Sequence, residues 1–290
     1  MLRIRYDWSD ETETNCFGYA VIVSRYQDQW IFVRRITEKT YELPAGHREA
    51  GETILETARR ELYEETGARQ FDLEPVCSFF VYEAEKEALY GVPRGMLYYA
   101  DIKSLGPLPE SSEIGEVVLS ENLPDRLSYP DIQPQLLALV ASCLHYQIRP
   151  ARQEDAAEIY YLNHVCLGSD YPEDQTRARV AFLLSLTDEH LFVAEEKEKG
   201  RVVGYIHLSR YECTHADRQK QILTLAIDED VANQQIGLRL LGAAEQRARA
   251  EGAFGLLFAS DDRCEKALSD YEACGYQLQK NRKVFIKLLK

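Results

Sequence analysis

Glu61, Glu64 and Glu65 stand at i, i+3 and i+4 in a segment whose flanks read as a helix. Thr53 followed by Glu56 is a capping box, which starts a helix, and Gly67 supplies the residue type that ends one. On a wheel of 100° per residue, Leu55, Ala58 and Leu62 fall on one stripe expected to face a core. The three glutamates gather on a neighbouring face. Crowded carboxylates repel by roughly a few tenths of a kcal/mol per pair in water. Hard Mg²⁺ or Mn²⁺ ions, which take oxygen ligands, would offset that repulsion. A lone Glu-Glu pair on a helix is ordinarily just solvated, so the inference rests on the spacing of the whole segment from Gly46 to Ala68. The charge balance agrees with it. Residues 1–145 carry 14 basic and 25 acidic side chains, a balance of −11, whereas residues 146–290 carry 20 and 23, a balance of −3. An acidic first half repels an extended nucleic acid, yet it holds a small anion if a divalent cation reverses the local field.

The elements that must position these groups follow from the apolar pattern. Phe17 to Ser24 and Trp30 to Arg34 read as strands of a hairpin, separated by the polar Tyr26-Gln27-Asp28-Gln29. The helix from about Thr53 to Thr66 comes next. Strands are expected at Val76 to Glu83, Met96 to Ile102 and Glu116 to Leu119, with a loop over Lys103 to Pro109 and a helix from Pro134 to His145. The pattern then restarts. A short strand at Ile148 to Pro150 precedes a helix opening near Glu154. Strands follow at Leu191 to Glu195, Val202 to Leu208 and Ile222 to Ile227, then a helix from Ile236 to Ala250 and a strand from Gly255 to Ala259. A helix from Glu265 to Cys274 ends at Gly275, and Val284 to Leu288 is a last strand. Two domains, 1–146 and 147–290, are expected to pack closely, since no Gly/Ser/Pro-rich linker separates them.

Composition narrows the class. With 290 residues, 45% hydrophobic and 28% charged, the chain reads as a soluble globular protein of two ordinary domains. The N-terminal segment is too acidic for a signal peptide, and the longest apolar run, Leu136 to Leu144, is roughly half of a membrane span. No membrane partner is expected. Seven scattered cysteines without a CxxC pair point to a reduced cytoplasm and away from zinc.

The spacing Gly46-x5-Glu52-x7-Arg60-Glu61-Leu62-x-Glu64-Glu65-x-Gly67 resembles the Nudix box of the Nudix hydrolase family at every fixed position. Ala68 stands where that family closes on Ile, Leu or Val. The resemblance covers residues 15–145. It implies an α/β/α sandwich that hydrolyses a nucleoside diphosphate linked to a group X, with Mg²⁺ or Mn²⁺ as cofactor. Carried over by position, Glu61, Glu64 and Glu65 hold the cations, the Gly46 carbonyl adds a ligand, and Glu52 supports them through water. Arg60 orients Glu61. Either Glu61 or Glu64 accepts the proton of the attacking water, and Glu113 or Glu116 is the candidate for a further acidic ligand. Tyr41-Glu-Leu-Pro-Ala-Gly-His47 looks like the branch acting on nucleoside triphosphates, including oxidised dGTP; the Leu-Pro-Ala-Gly wording also occurs in ADP-ribose-cleaving relatives.

The second half resembles the GNAT acetyltransferase family over roughly 147–290, which implies a mixed-sheet α/β domain using acetyl-CoA and a small amine acceptor. Leu223 to Asp228 is similar to the strand whose backbone, at Leu225 and Ile227, pairs with the pantetheine arm. Ala267 to Tyr276 is similar to the C-terminal helix in which Tyr271 protonates the leaving thiolate. The pyrophosphate loop departs from the family. Ala232-Asn-Gln-Gln235-Ile-Gly237 lacks the arginine and the first glycine, leaving the amides around Gln235, Ile236, Gly237 and Leu238 as the candidate cradle. Three readings stay open: a bifunctional hydrolase and acetyltransferase; a hydrolase, as in an ADP-ribose-type pyrophosphatase, whose second half is a non-catalytic binding or dimerisation module; and a non-catalytic nucleotide sensor, against which the intact carboxylate set argues.

Overall fold

Strand β2 (Phe17–Tyr26) alternates side chains between two covered faces, sending Ala20 and Ile22 into one apolar cluster and Val21 and Val23 into another. A strand buried on both faces reads as nearly continuous apolar sequence. The computed structural model describes residues 2–8, 16–83, 93–232, 234–259 and 271–278. Around β2 lie β1 (Leu2–Asp7), β3 (Gln29–Arg35), β4 (Ala45–His47), β5 (Ala68–Glu83), β6 (Arg94–Leu105) and β7 (Ile114–Ser120). They form a mixed sheet in the order β1-β5-β6-β2-β3-β7, with β4 against β2. β2 and β6 are parallel, and the β2–β3 hairpin turns on Gln27 and Asp28, both left-handed, as a two-residue loop requires.

Helix α1 (Ile54–Thr66) covers one face of this sheet and α2 (Gln133–His145) the other. Both capping-box bonds are present at Thr53 and Glu56, and Gly67 ends α1 at φ 74°. The buried stripe of α1 is Ile54, Ala58 and Leu62; the expected Leu55 is 39% exposed. Ala58 and Glu65 lie at the centre of the buried arc, which leaves Leu55 at its margin in the first turn.

A second, five-stranded sheet begins directly after α2. Its strands are β8 (Tyr146–Pro150), β9 (His190–Glu196), β10 (Val202–Tyr211), β11 (Gln219–Ile227) and β12 (Gly255–Phe258), in the order β12-β11-β10-β9-β8. Only β11 and β12 are parallel. Helices α3 (Ala156–Leu167) and α4 (Glu173–Leu184) cover one face and α5 (Ile236–Ala250) the other. The molecule is thus a two-domain α/β protein with a mixed sheet in each half. No helix among the described residues is long and apolar enough to cross a membrane, and no two cysteines among them are joined by a disulfide.

The halves share contacts. Leu238 of α5 packs into the cluster that holds α2. Arg239 donates to the carbonyls of Ser142 (2.8 Å) and Tyr146 (3.1 Å). The Trp8 indole lies so close to Gly242 that an added Cβ there would meet it at 2.5 Å. Three elements go beyond the sequence reading: β1, β4 and α4. The expected loop at 103–109 starts later, because β6 continues through Leu105. The last expected strand and most of the helix before Gly275 lie outside the described residues.

Candidate active sites

Gly46 and Glu61 are brought together by β4 and α1. An added Cβ at Gly46 would lie 1.8 Å from Glu61 Oε1, so only glycine leaves room for that carboxylate. Arg60 gathers the neighbours. Its Nε donates to Glu52 Oε1 (2.7 Å) and its Nη1 to Glu61 Oε1 (2.7 Å) and Glu64 Oε2 (3.1 Å). Its Nη2 donates to Glu52 Oε2 (3.0 Å) and the His47 carbonyl (3.1 Å). Three carboxylates and a carbonyl therefore converge on one guanidinium.

Glu65 goes elsewhere. It accepts from the Ala45 amide (2.9 Å) and meets Arg35 Nη2 at 3.4 Å. The same Arg35 holds Glu42 (2.8 Å) and Glu113 (2.9 Å). Arg35 is a residue the sequence reading missed; it joins β3 to α1 across 30 positions, and no local pattern announces such a contact. Glu116 is separate. Its carboxylate accepts from Arg34 (2.9 Å) and the Tyr41 hydroxyl (3.0 Å) beside a shallow, open depression lined also by Lys39, Asp125 and Arg126.

The electrostatics divide the acids. The Arg60 bond holds the Glu52 carboxyl down at about 2. Burial pushes Glu61 up, against the pull of Arg60. Burial pushes Glu65 to about 8, with the Ala45 amide and Arg35 opposing it and the charge of Glu61 adding to it. Crowded, half-desolvated carboxylates of this kind gain from a cation. Among the described residues no three carboxylates, imidazoles or thiols are arranged around one open point as a metal requires, because Arg60 fills the centre of the Glu52–Glu61–Glu64 group. The donor set itself is all oxygen, the chemistry of Mg²⁺ or Mn²⁺, and the cradle at Gly46 accommodates no side chain. The chemistry of these donors fits such an ion, while in this structure the carboxylates of Glu52, Glu61 and Glu64 close on Arg60.

In the second half, Gln235 is the N-cap of α5 at φ 58° and ψ 16°. That is the conformation a glycine adopts freely, so the loop keeps its shape although its glycine is absent. No side chain caps α5, and its first turn holds no acid. The amides of Ile236, Gly237 and Leu238 are thus among the helix N-terminal donors that an anion can satisfy. The side chains of Ile236 and Leu238 are buried, which leaves only their backbone for a ligand. Pairing of β11 with β12 ends at Ile222 and Phe258. Beyond it, Leu225 and Ile227 sit on an edge with no strand partner on that side among the described residues. Tyr271 packs edge-on against Phe258, with ring centroids 4.9 Å apart. Tyr276 N bonds Tyr271 O and Gly275 N bonds Glu272 O, the Schellman pattern expected at a helix end, and Gly275 is left-handed at φ 83°.

Comparison with known proteins places both halves. Residues 16–128 match the NUDIX domain, and residues 155–276 match the acetyltransferase (GNAT) family. The chain is 28% identical over 125 residues to "Putative 8-oxo-dGTP diphosphatase YtkD" of Bacillus subtilis (strain 168), covering 43% of this chain and 75% of the relative. It is 37% identical over 82 residues to an RNA pyrophosphohydrolase of Bartonella bacilliformis, covering 25% of this chain and 48% of that protein. Among solved structures, the aminoglycoside N-acetyltransferase AAC(6')-Iy in complex with CoA aligns with 49% of this chain and 95% of its own at a TM-score of 0.44 and 14% identity.

Proposed function

From a chain that carries a NUDIX domain at residues 16–128 followed by a GNAT-family acetyltransferase domain at residues 155–276, we propose a bifunctional enzyme, with the domain boundary at 146/147. The first half hydrolyses a diphosphate linkage in a nucleoside triphosphate or a 5′-triphosphorylated nucleotide. The second transfers an acetyl group from acetyl-CoA to a small amine. The observation that carries the first activity is the convergence of Glu52, Glu61 and Glu64 on Arg60, with Glu61 pressed against Gly46. The names of the two curated relatives support the choice of triphosphates over ADP-ribose.

Glu61, Glu64 and the Gly46 carbonyl hold Mg²⁺ or Mn²⁺, with Glu52 and Glu65 behind them. When bound, the ion neutralises phosphate charge and acidifies a water. Arg60, bonded at once to Glu52, Glu61 and Glu64, keeps Glu61 oriented. Glu64, at 44% side-chain exposure against 13% for Glu61 and 8% for Glu65, takes the proton of the attacking water. Arg35 fixes Glu65, and Glu65 in turn fixes the Ala45 amide beside Gly46. In the second half the α5 amides hold the pyrophosphate, the edge at Leu225 and Ile227 pairs with the pantetheine arm, and the Tyr271 hydroxyl delivers a proton to the thiolate.

The test is product identification from nucleoside triphosphates, oxidised dGTP, 5′-triphosphorylated RNA and ADP-ribose, each with Mg²⁺ or Mn²⁺. Turnover of a triphosphate that stops on chelation supports the reading. Turnover confined to ADP-ribose overturns the substrate assignment. Acetyl-CoA calorimetry tests the second half, and the absence of heat near millimolar ligand would reduce it to a packing module.

A further inference from the structure

On the α3/α4 face of the second sheet, Glu189, just before β9, accepts from two side chains of β10. His207 Nε2 lies 2.7 Å from its Oε2, and Ser209 Oγ lies 2.7 Å from its Oε1. Both carboxylate oxygens are engaged, and the His207 and Glu189 side chains are only 12% and 18% exposed. A carboxylate at Nε2 requires the hydrogen there. In the neutral ring with that tautomer the lone pair is on Nδ1, and no hydrogen bond to Nδ1 is made among the described residues. An oriented imidazole with one ring nitrogen open is the arrangement of a general base.

Its position matters as much as its partner. His207 pairs with Thr224, while Leu208 pairs with Ile222, so Leu223 is the extra residue of a β-bulge and is 49% exposed. Bulges re-aim backbone and side chains beside active sites. This one sits where the pairing of β11 with β12 ends. The neighbouring Tyr205, on the same face, donates to Asn163 of α3. His207 therefore lies one strand in from the edge that carries Leu225 and Ile227.

We propose that His207 is the general base of the second half, with Glu189 as its positioning residue; this rests on the acetyl-transfer reading given above. The amine nitrogen forms the C–N bond at the thioester carbonyl carbon, the C–S bond breaks, and the electron pair leaves on sulfur. His207 Nδ1 takes the proton lost by the amine, and the thiolate receives one from the Tyr271 hydroxyl. Glu189 stabilises the imidazolium without itself taking a proton.

The experiment uses the full chain, acetyl-CoA, and spermidine, kanamycin and tyramine as acceptor probes, comparing wild type with His207→Gln and Glu189→Gln. General-base removal costs about 100-fold to 10,000-fold. His207→Gln is expected to lower kcat by at least about 100-fold while calorimetric acetyl-CoA affinity and the KM for acetyl-CoA stay within about twofold. The ¹⁵N shifts of the His207 ring are expected to report a hydrogen on Nε2 in wild type and a loss of that preference in Glu189→Gln, a readout independent of turnover. Failure of acetyl-CoA to bind wild type sinks the acetyl-transfer reading itself. Binding without thiol release from any probe, or equal release by His207→Gln and wild type, overturns the base assignment and leaves the binding reading intact.

Discussion

Gly46→Ala separates the cost of moving one carboxylate from the cost of disturbing a fold. Gly46 lies outside the left-handed region, so alanine adds volume there without backbone strain. Its methyl would stand 1.8 Å from Glu61 Oε1 and 1.9 Å from Glu61 Cδ. Nonbonded carbons settle at about 3.5–4.0 Å, so the carboxylate must retreat by roughly 2 Å. The atoms in the way are the end of a flexible side chain, and the fold yields cheaply. The loss is limited to the Arg60–Glu61 bond, about 1–2 kcal/mol for a charged pair that is partly solvated. Activity is less forgiving. A displacement of about 1 Å at a reacting centre costs on the order of 100-fold. At least that fall in kcat/KM is expected, equal to about 2.7 kcal/mol of transition-state stabilisation. The assay is product release from a nucleoside triphosphate at saturating Mg²⁺, run beside a denaturant titration. A cycle with Glu61→Ala sharpens it: once the carboxylate is gone, Gly46→Ala should cost no further activity. Wild-type turnover in Gly46→Ala, or an equal cost in the Glu61→Ala background, would refute the reasoning.

Three further outcomes follow from other parts of the molecule. Gln235→Gly removes a left-handed non-glycine residue; relief of about 1 kcal/mol of strain outweighs the added chain entropy, so denaturant titration should show a gain of roughly 0.5 kcal/mol, and a loss would contradict it. Lys220 is 3% exposed, pairs with Glu251 at 2.5 Å and donates to the Asp188 carbonyl at 3.3 Å; Glu251 keeps His190 and Arg247 as partners, so Lys220→Met should cost about 3 kcal/mol, the low end for a broken buried pair, and an unchanged midpoint would show the network is idle. Burial pushes Glu245 up from its ordinary 4.5 to about 7, with Arg249 opposing and Asp7 assisting. Because the folded value is the higher one, its contribution to stability is complete below pH 4.5 and is lost as pH rises through 7. Glu245→Gln should flatten stability against pH within that window, and an unaltered slope would remove Glu245 from the balance.

What the sequence disclosed was local. The Thr53–Glu56 capping box, Gly67, the hairpin formed by the strands at Phe17 to Ser24 and Trp30 to Arg34, and the span of α5 each depend on neighbours within a few residues, and each is found as read. What stayed hidden depends on distance along the chain. β1 is held by β5 through pairs such as Leu2 with Glu83, which no pattern in residues 2–7 encodes. α4 buries only Thr176 and Val180 on a short helix with apolar residues spread around it, so its periodicity is faint. The carboxylates show the same division. Their helical spacing was legible, whereas the fork of Arg35 that draws Glu65 away from Glu61 and Glu64 arises from β3 meeting α1. Likewise Glu189, which gives His207 its orientation, meets it only because β9 and β10 pair.

The central claim is that Glu61 and Glu64 hold a divalent cation for diphosphate hydrolysis. Its most direct test is Mg²⁺-dependent turnover of a nucleoside triphosphate by wild type and by Glu64→Gln, the most exposed of Glu61, Glu64 and Glu65 and so the one whose substitution least disturbs folding. The account predicts saturable dependence on Mg²⁺ for wild type, abolished by chelation, and a fall of at least about 100-fold in kcat for Glu64→Gln with an unchanged melting temperature. Equal turnover by the two proteins, or wild-type turnover that survives chelation, would contradict it.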